Sequence, residues 1–317
     1  MGIKGINLKN FNMDFIKRLM SSDLKDIKEL FKSDNEKTNI AKKTRRSSRN
    51  IPNKLIGFDL GSKNIKVVEG RKNKDRLIID KMFTIPTPRE QIIDGKLLNF
   101  KNLADIIQFS IEQEELNANY AVCTTKSTTI LNREIVIPKV EEEEMETVIK
   151  HEMQQYLPIA LDDYILQYKI LGELDDELGG NERYKVNVIA LPQEMARDYY
   201  DLLLQLELKP FALDVDYNSI EKLMDFNREI NNYECKEDDT NLLIDIGASS
   251  INVSIYNEGK IDFTRMIKSG GDDIDLALSR KLSISVQAAE EVKIEQGDLH
   301  NITADDFINN EILEVVN

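Results

Sequence analysis

Two stretches decide the reading: GFDLGSKNIKVVEG at residues 57–70 and LIDIGASSINVSIY at residues 243–256. Laying Asp59 on Asp245, an offset of 186 (245 − 59), places Gly61 on Gly247, Ile65 on Ile251 and Val67 on Val253. Each is an apolar strand ending in Asp, then x-Gly-small, then a return strand. Glycine allows a tight turn. Successive backbone N–H groups in such a turn form a concave anion site. A carboxylate at the strand end can hold the water shell of a Mg²⁺ ion that bridges phosphates. One D-x-G turn is weak evidence, because plain hairpins use it too. Two copies suggest a repeated lobe and two jaws of one polyphosphate clamp.

Working outward, the elements around both turns follow the order strand, strand, strand, helix, strand. KLIGFDL, IKVVEG and LIIDKMFTI read as strands. NFKNLADIIQFSIEQEEL reads as a helix with Leu103, Ile106, Ile107 and Ile111 on one face, and NYAVCTT as an internal strand. EEEEMETVIKHEMQQYL carries Met145, Val148, Ile149, Met153, Tyr156 and Leu157 on one helical stripe. The second series stops after NLLIDIG, INVSIYNEG, KIDFTRMIK and helical patterns in DDIDLALSRKL and SVQAAEEVKIEQ. In SGGDDIDLAL, Gly270 and Gly271 directly precede a helix. Gly-Gly permits close approach of a ligand to a helix N-terminus, although an acidic cap is the plainer reading of Asp272 and Asp273. The run Glu141–Glu144 is read the same way. His151 and His300 have no partners in sequence that would make a triad or a metal site.

The chain has 317 residues, 41% apolar and 31% charged, enough for sizeable cores. Its net charge of −15 is uneven: residues 1–50 carry 13 Lys and Arg against 6 Asp and Glu, and the rest carry 29 against 51. The acidic body argues against a nucleic-acid partner. The basic segment is expected to attract an anionic surface. Its residues 11–32 place Phe11, Phe15, Ile16, Leu19, Met20, Leu24, Ile27 and Phe31 at helical spacing, with Lys17, Arg18, Lys25, Lys28 and Lys32 on the other face. Such a basic amphipathic helix can press on an anionic membrane at the inner face of the cell. Residues 33–53 are polar and charge-rich, as flexible linkers are. No apolar run suits a membrane span or a signal peptide. Cys123 and Cys235 lack metal-ligand spacing and are expected to be free thiols of a reducing cytoplasm.

The motifs together resemble the actin-like ATPase superfamily, which includes actin, Hsp70, sugar kinases and FtsA. GFDLGSKNIKVVE is similar to its first phosphate motif and LLIDIGASSINVSIY to its second. Three further blocks resemble the PilM proteins of type IV pilus assembly: IPKVEEEEMETVIKHEMQQYLPIALDDYILQYKIL, VIALPQEMARDYYDLLLQLELKPFALDVDYNSIEKL and SGGDDIDLALSRKLSISVQAAEEVK. The resemblance covers about residues 55–300. It implies an α/β, actin-like (ribonuclease-H-like) two-lobed fold with an inserted subdomain. The implied divisions are residues 1–53 as an N-terminal extension, 54–130 and 184–240 as the first lobe, 131–183 as the insertion, and 241–317 as an incomplete second lobe.

By the same resemblance, Asp59, Gly61, Ser62, Lys63 and Asn64 form the first phosphate loop. Asp245, Gly247, Ala248, Ser249 and Ser250 form the second. Gly270 and Gly271 lie beside the nucleotide, Glu290 and Lys293 reach ribose and adenine, and Asp59 and Asp245 hold Mg²⁺ through water. The implied cofactors are ATP and Mg²⁺, with hydrolysis at most slow and regulatory. The implied partners are the N-terminal peptide of the membrane protein PilN and the pilus motor ATPases, with self-assembly also expected. Ile6-Asn7-Leu8 itself resembles that PilN peptide. The sequence departs from the family at its end: Gly297 is the last glycine, and no glycine-rich adenosine motif follows. The expectation is a second lobe without its last strands. A sugar- or acetate-kinase-like phosphotransferase and an FtsA-like cell-division protein are the competing readings. No water-orienting or other catalytic residue is identified from the sequence.

Overall fold

The computed structural model describes residues 52–73, 76–156, 160–174, 182–227, 229–230, 233–234, 236, 239–300 and 306–316. The basic helix and linker pattern, Ile6-Asn7-Leu8 and Cys235 lie outside these residues. The chain divides into two units, Met1–Tyr233 and Glu234–Asn317.

The first unit is built on a sheet whose strands alternate apolar and polar residues, as strands with one buried face do. They are β1 (Lys54–Leu60), β2 (Asn64–Asn73) and β3 (Arg76–Pro86). After a short ribbon of β4 (Ile92–Ile93) and β5 (Lys96–Leu97) come α1 (Phe100–Gln113) and β6 (Tyr120–Thr125). Next are β7 (Leu131–Pro138), α2 (Glu142–Tyr156), β8 (Tyr164–Leu174) and β9 (Arg183–Pro192). The unit continues with α3 (Gln193–Gln205), β10 (Lys209–Val215) and α4 (Asp216–Asn227). The main sheet has the order β10-β6-β1-β2-β3. β1, β6 and β10 run parallel, so their carboxyl ends share one edge, where ligands of open α/β sheets bind.

Asn99 starts α1 by accepting a hydrogen bond from the Asn102 amide, which satisfies one of the unpaired N–H groups of a helix start. The helix buries Leu103, Ala104, Ile107 and Ile111 in one cluster with Ile56, Phe58, Ile65, Val67 and Tyr199. Glu69 is a buried carboxylate inside β2. It accepts from the Asn117 and Ala118 amides at 2.6 and 2.8 Å and pairs with Lys54 at 2.7 Å, fixing the entry to β6. The sheet β7-β9-β8 is separate and antiparallel. Met145, Ile149 and Met153 of α2 cover its Ile135, Ile137, Val186, Val188 and Ala190. Three glutamates in the first turn of α2 oppose the positive end of the helix dipole.

The second unit begins with β11 (Thr240–Ile246), β12 (Ile251–Asn257) and β13 (Lys260–Ile267), in that spatial order. The helices α5 (Gly271–Leu282), α6 (Val286–Gln296) and α7 (Phe307–Val316) follow and pack on one another through Leu278, Ala289 and Ile312. The registers of the two hairpins coincide. Asp59 stands opposite Lys66 and Leu60 opposite Ile65; Asp245 stands opposite Asn252 and Ile246 opposite Ile251.

Candidate functional site

Both turns close with the same hydrogen bond. The Gly61 amide donates to the Asn64 carbonyl at 3.1 Å, and the Gly247 amide to the Ser250 carbonyl at 2.9 Å. A Cβ on Gly61 would stand 2.6 Å from the Asn64 carbonyl oxygen, so the first turn closes this tightly only around glycine. Each turn is also held from behind by the segment leaving the third strand. Thr87, buried after β3, donates its hydroxyl to the Gly61 carbonyl at 2.8 Å and its amide to the Lys63 carbonyl at 2.9 Å. In the second unit the Gly271 amide donates to the Gly247 carbonyl at 3.1 Å, and the Asp272 amide to the Ala248 carbonyl at 2.9 Å. The segment after the third strand thus ties the carbonyls of each turn into the fold.

The contact between α5 and its turn depends on Gly270. A Cβ there would lie 2.4 Å from the Ala248 oxygen and 2.6 Å from the Gly247 oxygen. Asp273 caps the helix, accepting from the Gly270 amide at 3.0 Å and the Ser269 hydroxyl at 2.8 Å. Lys293 of α6 donates to the Gly271 carbonyl at 3.1 Å and pairs with the buried Asp275 at 2.6 Å. Its ammonium is therefore engaged in holding the Gly-Gly step, while Glu290 is half-buried on the same helix.

Asp59, the penultimate residue of β1, has its side chain half exposed and meets Lys66 at 3.1 Å. Asp245, the penultimate residue of β11, is exposed. Among the described residues no three His, Cys, Asp or Glu side chains gather as metal ligands. A cation beside either turn fits only as an ion held by phosphate and water. The first amides of α5 are taken up by Asp273, Gly247, Ala248 and Gly270, so the start of this helix serves to fix the second turn.

Other polar groups of the first unit stand at or next to the carboxyl ends of its parallel strands and escaped the sequence reading. Thr125, ending β6, donates to the Tyr199 hydroxyl at 2.9 Å, which in turn donates to the Gly95 carbonyl at 3.1 Å. Asp214, the penultimate residue of β10, accepts from the Asn218 amide group at 2.8 Å and the Ser219 hydroxyl at 3.0 Å, and pairs with Lys222. The only sequence signal was position, since each follows or closes an apolar run. A groove of about 470 Å³ lies beside β7, lined by Arg133, Glu134, Ile135, Val136, Glu152, Met153 and Lys185. Among the described residues β7 pairs on one side only, with β9.

A hairpin repeated in the same register, with parallel strands and helices added to its first copy, defines an actin-like α/β protein. The chain belongs to the PilM family: the family described as "Type IV pilus assembly protein PilM" matches residues 57–307. The solved structure titled "PilM-PilN type IV pilus biogenesis complex" is similar, with a TM-score of 0.68 and 25% identity over 83% of this chain and 73% of that one. The cell division protein FtsA of Buchnera aphidicola subsp. Acyrthosiphon pisum is 24% identical over 271 residues, 77% of this chain. FtsA of Bacillus subtilis is 23% identical over 294 residues, 82% of this chain. The chain spans 61% of the length of each FtsA. Among the described residues no helix is long and apolar enough to cross a membrane.

Proposed function

We propose that this chain is an actin-like scaffold of type IV pilus assembly, cytoplasmic and peripheral at the inner face of the membrane. Its turns bind the phosphates of ATP, and the nucleotide sets its conformation or assembly. The observation that carries the nucleotide reading is the pair of equivalent turns, each closed by the same glycine hydrogen bond. On this reading Gly61 and Gly247 close the two turns, Ser62 to Asn64 and Ala248 to Ser250 form the phosphate loops they close, Gly270 and Gly271 stand beside the second loop, and Glu290 and Lys293 lie on the nucleoside side. Asp59 and Asp245 order the water around Mg²⁺. Turnover is slow and regulatory. Isothermal titration with ATP and Mg²⁺ tests it. Binding that weakens in both Asp59→Ala and Asp245→Ala supports the two-turn site; no heat and no thermal shift remove ATP from the proposal.

The same scaffold holds the N-terminal cytoplasmic peptide of PilN and contacts the pilus motor ATPases. The similar solved structure is a PilM–PilN complex, which supports a PilN partner. The one-sided strand β7 and its groove suit an extended peptide, which adds to a sheet edge through main-chain hydrogen bonds. Val136, 41% exposed on that strand, offers the check. A Val136→Asp variant that binds the PilN peptide as well as the parent does would move the peptide elsewhere.

A further inference from the structure

The β2–β3 hairpin presents two different faces. Residues paired across antiparallel strands point to the same side of the sheet. One side carries Ile65, Val67 and Glu69 of β2, all buried, with Ile85 of β3. The other side pairs Val68 with Met82, Gly70 with Ile79 and Lys72 with Leu77. There Met82, Ile79 and Leu77 are 66%, 45% and 44% exposed, and Lys72 is exposed with them. Three large apolar side chains thus stand in water along β3, which among the described residues is an edge strand of the main sheet. A contiguous apolar file rimmed by polar residues marks an interaction surface. The hairpin end adds Arg71 and Arg76, both exposed, and Asp80 at the bulge meets Lys54 and Arg71 at 3.6 and 3.4 Å. Charge singles out this corner. Residues 61–86 carry 7 basic against 3 acidic side chains, whereas the rest of residues 51–317 carries 22 against 48.

We propose that this hairpin is a lipid-contact site. Its end rests on an anionic bilayer, where Leu77, Ile79 and Met82 enter the headgroup boundary and Arg71, Lys72 and Arg76 meet lipid phosphates. The combination of side chains selects the occupant. Basic groups beside exposed aliphatic ones are what an anionic membrane interface takes up. A nucleic-acid strand calls for aromatic rings on which its bases stack. The one aromatic residue of the hairpin, Phe83, pairs with Val67 on the buried side. The contact is also separate from the phosphate turn. β2 runs from Asn64, at that turn, to Asn73, so its two ends stand about 30 Å apart. A bilayer can hold the hairpin end while the turn stays open to solvent. The proposal rests on the peripheral placement given above and assigns the folded first unit a membrane contact of its own, apart from residues 1–50. Stable attachment takes two such signals, since one alone is marginal and reversible.

The chain has no tryptophan, so a single introduced indole reports on one place. Full-length Ile79→Trp and, as a second probe, Met82→Trp are mixed with phosphatidylglycerol or phosphatidylcholine vesicles, after thermal unfolding has checked that each exposed change leaves the fold intact. On the anionic vesicles alone, the emission should shift to the blue and lose most of its quenching by aqueous iodide. The indole of Phe109→Trp, exposed on α1 over the opposite side of the sheet, should do neither. Adding Lys72→Gln/Arg76→Gln to Ile79→Trp should raise the lipid concentration for half the shift about 25-fold, since each basic side chain near an anionic leaflet is worth about fivefold. If the vesicles sediment the chain while both hairpin indoles keep their solution spectra, the proposal falls and the peripheral placement stands. If the vesicles bring down none of the chain, both fall. An equal shift on phosphatidylcholine also overturns the proposal. So does a shift produced without lipid, by single-stranded DNA or by raising the protein concentration, which assigns the face to another partner.

Discussion

Replacing Gly270 by alanine puts a methyl group where two carbonyl oxygens already stand, 2.4 and 2.6 Å away. Both belong to backbone, at Ala248 and Gly247, so neither can swing aside as a side chain would. The helix start must back away from the turn, weakening the 3.1 and 2.9 Å hydrogen bonds from Gly271 and Asp272. Forced overpacking of this kind costs about 1–3 kcal/mol. The neighbouring residue behaves differently. A Cβ on Gly271 meets Lys293 Nζ at 3.6 Å and nothing closer, which is ordinary contact. It also opens a helix, where alanine is favoured over glycine by up to about 1 kcal/mol, less at the first position. The two changes should therefore have opposite signs. Thermal unfolding of the second unit reads them: for roughly 80 residues, 1 kcal/mol moves Tm by about 4–8 °C. Gly270→Ala should lower Tm by about 4–24 °C on that scale, and Gly271→Ala should leave it unchanged or raise it by a few degrees. If ATP binds, Gly271→Ala should still weaken it, since the methyl group crowds the approach to the helix start. Equal destabilisation by both, or a harmless Gly270→Ala, would refute the close-approach argument.

Lys293→Met should destabilise the second unit by about 3 kcal/mol in urea unfolding, because it strands the buried Asp275 carboxylate. The double variant Asp275→Leu/Lys293→Met should recover most of that loss. Glu69→Gln should cost about 1–3 kcal/mol at pH 7, the worth of hydrogen bonds to a buried charge. Burial pushes this carboxyl up, but Lys54 and the Asn117 and Ala118 amides outweigh it and hold it below its ordinary value. Its contribution is thus present above the unfolded value of about 4.3 and is lost as pH falls through the lower folded value, so the variant should show a flatter acid limb. In a Cys235→Ser background, Cys123 should resist thiol reagents until the first unit unfolds. It is buried in β6, and burial holds the thiol well above its usual range. Labelling of the native chain would contradict that burial.

The duplication was legible because Asp59 and Asp245 each close an apolar strand before x-Gly-small, and local chemistry of that kind survives in sequence. Helix α1 was legible from the spacing of Leu103, Ile107 and Ile111. What covers a face was not. Leu242, Ile244 and Ile246 alternate as Ile56, Phe58 and Leu60 do, and alternation names a face without saying whether anything lies on it. The hold that Thr87 has on Gly61, and Lys293 on Gly271, was equally hidden. These bonds join residues more than twenty positions apart, and no spacing rule connects a lysine on one helix to a carbonyl at the start of another. The burial of Glu69 had no signal in the sequence, because its partners, Asn117 and Ala118, come from a loop nearly fifty residues later.

Because the amides of Gly271 and Asp272 are fastened to the carbonyls of the second turn, α5 is a lever whose fulcrum is that turn. Twelve residues make a rod of about 18 Å, so a tilt of about 5° at the turn swings the far end by about 1.6 Å. Lys293 bolts α6 to the same rod near its base, through Gly271 and Asp275. A displacement of backbone too small to notice at Gly247 would thus be felt as a shift of surface at Arg280 and Lys281, the basic end of the lever.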